Sequence, residues 1–135
     1  MKDSIFTKII KGEIPCHKIY EDAQTLVFLD ISPAQPGHVL VVPKKQVEYV
    51  WDLEEQDYAA LRRTVQKVAL HLRTKSGKKH VGEIIVGVDV PHAHVHLIPF
   101  NTADQLDVAF HKSSLEPDHV ALAVMAKKLR MEDEL

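Results

Sequence analysis

The chain has 135 residues, 45% of them hydrophobic and 27% charged, with a formal net charge of -2 at pH 7. That length suits one domain with its own core, and the near-neutral charge argues against a broad surface for a nucleic-acid polymer. The single cysteine, Cys16, excludes an intrachain disulfide and any Cys-x-x-Cys site, and with no apolar leader and no run of 18 apolar residues the expectation is a cytoplasmic domain with no membrane partner.

Taken in order, Ile5, Phe6, Ile9 and Ile10 fall at helical spacing between Ser4 and Lys11, and Gly12 and Pro15 end that segment. Residues 16–21 are extended, Asp22-Ala23-Gln24 makes a turn, and residues 25–30 return as the second strand of a hairpin. After the loop at 32–37, residues 38–42 form a β-branched run stopped by Pro43, which predicts a buried third strand. Asp52 and Glu55 resemble a capping box opening a long helix, with Tyr58, Leu61, Val65, Val68 and Leu72 on its buried face and Ser76-Gly77 at its end. Residues 81–88 predict a fourth strand. From Asn101 to Ser114 the pattern loosens, and Pro117 then opens a helix to Leu129 with a packed stripe of Val120, Val124, Met125 and Leu129. The first three strands are too closely spaced for helical crossovers. The sheet is therefore expected to be mainly antiparallel with helices on one face, an α+β fold in one domain spanning 1–135.

The fifth predicted strand carries the chemistry. In His92-Ala93-His94-Val95-His96-Leu97-Ile98 the histidines alternate strictly with apolar residues. A period of two puts three imidazoles on one strand face, roughly 6.5–7 Å apart at the usual rise. Such a row can hold a metal, bind an anion, or pass protons and attack phosphorus.

This stretch resembles the signature of the histidine triad (HIT) superfamily, His-φ-His-φ-His-φ-φ with φ hydrophobic. The resemblance extends in order through residues 5–15, Leu29-Asp30-Ile31-Ser32-Pro33 and residues 36–45, covering about residues 4–100. The tail at 101–135 carries no signature. The resemblance implies a HIT-like fold, with a mainly antiparallel five-stranded sheet, a long central helix and a C-terminal helix packed on one face. It also implies a homodimer acting on a purine nucleotide or nucleotide conjugate, such as a nucleoside phosphoramidate or dinucleoside polyphosphate. Cleavage or transfer would occur at the α-phosphorus through a nucleotidyl-histidine intermediate, with no cofactor required.

Carried over residue by residue, His94 is the expected nucleophile. His96 and His92 are expected to support it and contact the phosphate, and His38 to complete the cluster. Asp30 matches the residue that holds the ribose hydroxyls, and Phe6, Ile9, Phe28 and Ile31 match the apolar wall around the base. Two departures stand out. Where some relatives hold a structural zinc with a Cys-x-x-Cys and a later histidine, this chain has Ser4, Thr7 and Gln46, so that zinc site is expected to be lost. The connection Gly87-Val88-Asp89-Val90-Pro91 is shorter than the family's glycine-rich loop, and Asp89 would oppose an anion. His71, His80, His111 and His119 read as surface or packing residues. Two other readings stay open: a metal held by the imidazoles with a free position for water, or a nucleotide-binding module with little catalysis.

Overall fold

The computed structural model describes residues 2–110 and 115–135, the side chains of 108–110 excepted, so His111 lies outside the described residues. Five strands, β1 (Lys18–Glu21), β2 (Thr25–Leu29), β3 (Val39–Pro43), β4 (His80–Ile84) and β5 (Val95–Phe100), form one sheet in the order β1-β2-β3-β5-β4. Every pairing is antiparallel, as the strand spacing predicts. The helices are α1 (Ile5–Ile10), α2 (Glu55–Lys75) and α3 (His119–Leu129), with 3-10 turns at Val50–Asp52 and Ala103–Phe110. No helix among the described residues is long and apolar enough to cross a membrane.

The central strands β2 and β3 are buried on both faces, which explains their unbroken apolar runs. On one face, Val27, Leu29, Val39, Val41, Val95 and Leu97 pack with Leu61, Val65, Val68 and Leu72 of α2 and with Leu122 and Leu129 of α3. On the other, Leu26, Phe28, Leu40 and Val42 meet Phe6 of α1. The long helix and the C-terminal helix thus share a face, and the short first helix covers the opposite one.

Several boundaries differ from expectation. The N-cap of α2 is Glu54, whose side chain makes no capping bond, and Asp52 is spent in the preceding 3-10 turn, so the predicted capping box does not form. An extended Leu53 separates that turn from the helix. Tyr58 stays 37% exposed at the rim of the α2 stripe. In α3 the cap is Asp118, whose carboxylate accepts the Ala121 N–H at 3.0 Å. Leu129 is buried and Met125 packs against the core as predicted, but Val120 and Val124 face outward and Leu122 takes their place in the stripe. β4 ends at Ile84, leaving Val86 and Val88 exposed.

The sheet's two edges are treated differently. Beyond α3 the tail runs along β1, with the Met131 N–H on Ile19 O and the Glu134 N–H on Glu21 O, both at 2.9 Å. Arg130 and Lys18 both pair with Asp133. An uncovered edge strand offers unpaired backbone groups to other chains. The tail covers β1, and β4 forms the sheet's other edge.

Candidate active site

The histidine segment keeps its alternation, but the ladder starts late. β5 begins only at Val95, opposite Val41, so His92 and His94 precede the strand instead of lying within it. The backbone there is claimed by other partners: the Ala93 N–H donates to Val47 O at 2.7 Å and the His92 N–H to Val90 O at 2.8 Å. Ala93, Val95 and Leu97 still enter the helix-side core. The three imidazoles face the other way, toward α1.

Each ring's partners fix its tautomer. His94 Nδ1 lies 2.6 Å from the main-chain carbonyl of His92. A carbonyl only accepts, so Nδ1 carries the proton and Nε2 presents a lone pair. His38 Nδ1 receives the backbone N–H of Ala34 at 3.0 Å, so the proton of that neutral ring sits on Nε2. From there it is donated to His96 Nδ1, 2.9 Å away. His96 must then carry its own proton on Nε2. The result is an unprotonated nitrogen on His94 beside a proton-bearing nitrogen edge on His96, with ring centres 5.1 Å apart.

Burial holds His38 and His96 neutral near pH 7. The buried environment lowers His38 to a pKa of about 4. His96 is lowered to about 4, first by burial and then by the neighbouring His38 and His94, against the opposing pull of Asp30 and Asp89. Asp30 Oδ2 lies 3.6 Å from His38 Nε2 and 4.0 Å from His96 Nδ1. With both rings neutral near pH 7 these contacts are not ion pairs. Asp30 Oδ1 accepts the Ser32 N–H at 2.8 Å, and burial raises the carboxyl above its usual range.

His92 has a different position from the one expected of it. Its ring is 0% exposed. Nε2 donates to Pro43 O at 2.7 Å and Nδ1 faces Ser4 Oγ at 2.7 Å. With no exposed surface and both nitrogens occupied, it cannot reach a phosphate; its place is behind His94.

Phe6, Ile9 and Phe28 come together as an apolar wall. Phe6 meets Phe28 edge-on at 5.6 Å and His94 edge-on at 5.1 Å, and Ile9 packs on the same cluster. Ile31 is 49% exposed and borders a cavity of about 210 Å³ with Leu29, Ala34, His38 and Leu122.

Asp30, His38 and His96 have ligand atoms within 4.8 Å of one another, a spacing a metal could use. The Ala34 N–H decides against it. While Nδ1 of His38 accepts that bond, its Nε2 keeps a proton and offers a metal no lone pair. Among the described residues the remaining histidines make contacts of their own: His71 Nε2 donates to Leu129 O at 2.9 Å, His80 lies against Phe100, and His119 stacks on His17. The partners that sequence reasoning missed are the Ala34 N–H and the carbonyls of His92 and Pro43. Backbone groups leave no signal in side-chain pattern.

The family model described as "HIT domain" matches residues 11–103. An adenosine 5'-monophosphoramidase of Schizosaccharomyces pombe is 35% identical over 119 residues, 86% of this chain and 89% of that protein. Among solved structures, a Hit-like protein involved in cell-cycle regulation from Bartonella henselae superposes with a TM-score of 0.80 at 28% identity, covering 95% of each chain. A zinc-bound histidine triad family protein from Mycobacterium smegmatis gives 0.72 at 26% identity, covering 93% of this chain and 94% of that one.

Proposed function

Because the chain belongs to the histidine triad (HIT) family, we propose that it cleaves or transfers purine nucleotides at the α-phosphorus through a nucleotide bound to His94. The observation that carries this reading is the His94 ring itself. Its Nδ1–H is anchored on a backbone carbonyl and its Nε2 lone pair is free to attack. In the first step a bond forms from Nε2 to phosphorus, and the bond from phosphorus to the leaving amine breaks. The amine departs with the electron pair and takes a proton from solvent. In the second step water adds to phosphorus, the bond to Nε2 breaks, its pair returns to the ring, and the water's proton goes to solvent. The His96 Nε2–H supplies a hydrogen bond to a non-bridging phosphoryl oxygen as charge builds there. Asp30 is suited to accept from the ribose hydroxyls, and Phe6, Ile9 and Phe28 to cover the base.

Within that class we favour a phosphoramidate over a dinucleoside polyphosphate, a choice that agrees with the name of the S. pombe relative; such a substrate releases a basic amine. The homodimer that the family resemblance implies would give the β4 edge of the sheet a partner.

The test is incubation with adenosine and guanosine phosphoramidates and diadenosine polyphosphates, with chelator present and His94→Ala alongside. Release of mononucleotide from the phosphoramidates that persists in chelator and vanishes in the variant is expected. Nucleotide binding without release from any compound would overturn the enzymatic reading in favour of a binding module.

A further inference from the structure

The positions that hold zinc-site residues in some relatives are filled here by a closed hydrogen-bond circuit around His92. Gln46 Oε1 accepts the Ser4 N–H at 2.9 Å and the Thr7 hydroxyl at 2.6 Å, while Gln46 Nε2 donates to Lys2 O at 2.8 Å. Ser4 Oγ accepts the Thr7 N–H at 3.0 Å. Its own proton has two possible acceptors, His92 Nδ1 at 2.7 Å and Thr7 Oγ1 at 3.2 Å, and the shorter contact is the one that satisfies a buried ring.

The proton count singles out Ser4. His92 Nε2 donates to Pro43 O, so Nδ1 of the neutral ring must accept. The Thr7 hydroxyl has one proton, already committed to Gln46, and cannot also serve Nδ1 from 3.3 Å. Ser4 is therefore the donor that Nδ1 has. Neutral hydroxyl and amide oxygens with their protons committed are also a poor zinc shell, lacking any thiolate. The residues present do not fit that metal.

We propose that Ser4 is a positioning residue, whose hydroxyl proton replaces a structural metal in holding His92 and, through the His92 carbonyl, the nucleophile His94. Without that proton the buried Nδ1 loses its donor while Nε2 stays bound to Pro43 O, and the ring can regain a partner only by shifting toward the Thr7 hydroxyl, 3.3 Å away. The ring then moves, and the carbonyl that anchors His94 Nδ1 moves with it. This inference rests on the nucleotidyl-transfer reading only for its kinetic consequence.

The variants are Ser4→Gly, which keeps a serviceable N-cap for α1 but has no hydroxyl, Ser4→Thr, which keeps both, and Thr7→Val. Nitrogen-15 spectra of the histidine rings should show His92 protonated at Nε2 throughout, with its Nδ1 resonance unchanged in Ser4→Thr and Thr7→Val and shifted in Ser4→Gly, where the bond it accepts is lost. Turnover of a phosphoramidate should fall about tenfold in kcat for Ser4→Gly, with KM within about twofold, and recover in Ser4→Thr. Wild-type protein dialysed after exposure to zinc should retain none. An unchanged His92 signal in Ser4→Gly, equal disturbance by Thr7→Val, or stoichiometric retained zinc would each overturn the proposal. If the wild type turns over no substrate, the functional reading has failed, and the ring spectra and metal analysis still decide the role of Ser4.

Discussion

The backbone N–H of Ala34 lies 3.0 Å from His38 Nδ1, and through that contact it sets the proton two rings away. His38 is left to donate from Nε2 to His96, and His96 to donate from its own Nε2 toward the site. A loop amide thus orients the hydrogen-bond donor of the site, and it also removes the lone pair that a metal bound by Asp30, His38 and His96 would need.

Replacing His38 with alanine should free His96 to exchange tautomers. The expected result is a drop in kcat of about 10- to 100-fold, in the range seen when a partner that orients a functional histidine is lost. Nitrogen-15 spectra should show a mixed population at His96. A single unchanged His96 form would mean that the relay is not what orients it.

Stability should decline on the acid side of neutrality. His38 and His96 ionise at about 4 in the folded chain and near 6.5 when unfolded. Between those values the unfolded state binds more protons, so stability is fully present above about pH 6.5 and is lost as pH falls toward 4. Asp30, raised by burial, opposes this, but one carboxyl faces two imidazoles. Thermal melts from pH 7.5 to 4.5 should show a falling Tm in the wild type and a flatter curve in a His38→Ala, His96→Ala double variant.

Phe6→Ala removes a ring that touches Phe28, His92 and His94 at once. A loss of about 3–5 kcal/mol is expected for a buried phenylalanine, together with a raised KM for nucleotide. Asp30→Asn should leave the fold intact and raise KM for ribonucleotide substrates, with little change for the 2'-deoxy analogues. Chemical denaturation and paired kinetics separate the two variants.

Gly37 has φ of +91°, and a Cβ there would lie 3.1 Å from Pro99 Cγ and 3.4 Å from Leu129 Cδ1. Gly77 has φ of +76° with nothing within 4 Å. Alanine at 77 should cost about 1 kcal/mol for the left-handed backbone alone. At 37 the cost should be larger, because Pro99 and Leu129 must shift as well. Equal losses at the two positions would show that the close approach at Gly37 carries no energy of its own.

Much of the architecture was legible in local pattern. The apolar runs of β2 and β3, the hairpin through Asp22-Ala23-Gln24 and the stripe of α2 all appear where periodicity puts them. The failures share a cause. Asp52 with Glu55 suits a cap, yet a 3-10 turn uses Asp52 first. Val120 and Val124 suit a stripe, yet they face outward and Leu122 joins Leu129 and Met125 against the core. Local propensity offers alternatives of similar energy, and distant packing chooses among them.

The candidate site divides the same way. The sequence by itself determined that His92, His94 and His96 share a face and that their apolar neighbours share the other, because an extended chain alternates whatever surrounds it. Only the tertiary structure decided what each ring can do. His92 is sealed by Pro43, 49 positions away, and by Ser4, 88 positions away. His96 is oriented by His38 across 58. A neutral imidazole has one proton and two nitrogens, and which nitrogen bears it depends on the groups that folding brings to each side.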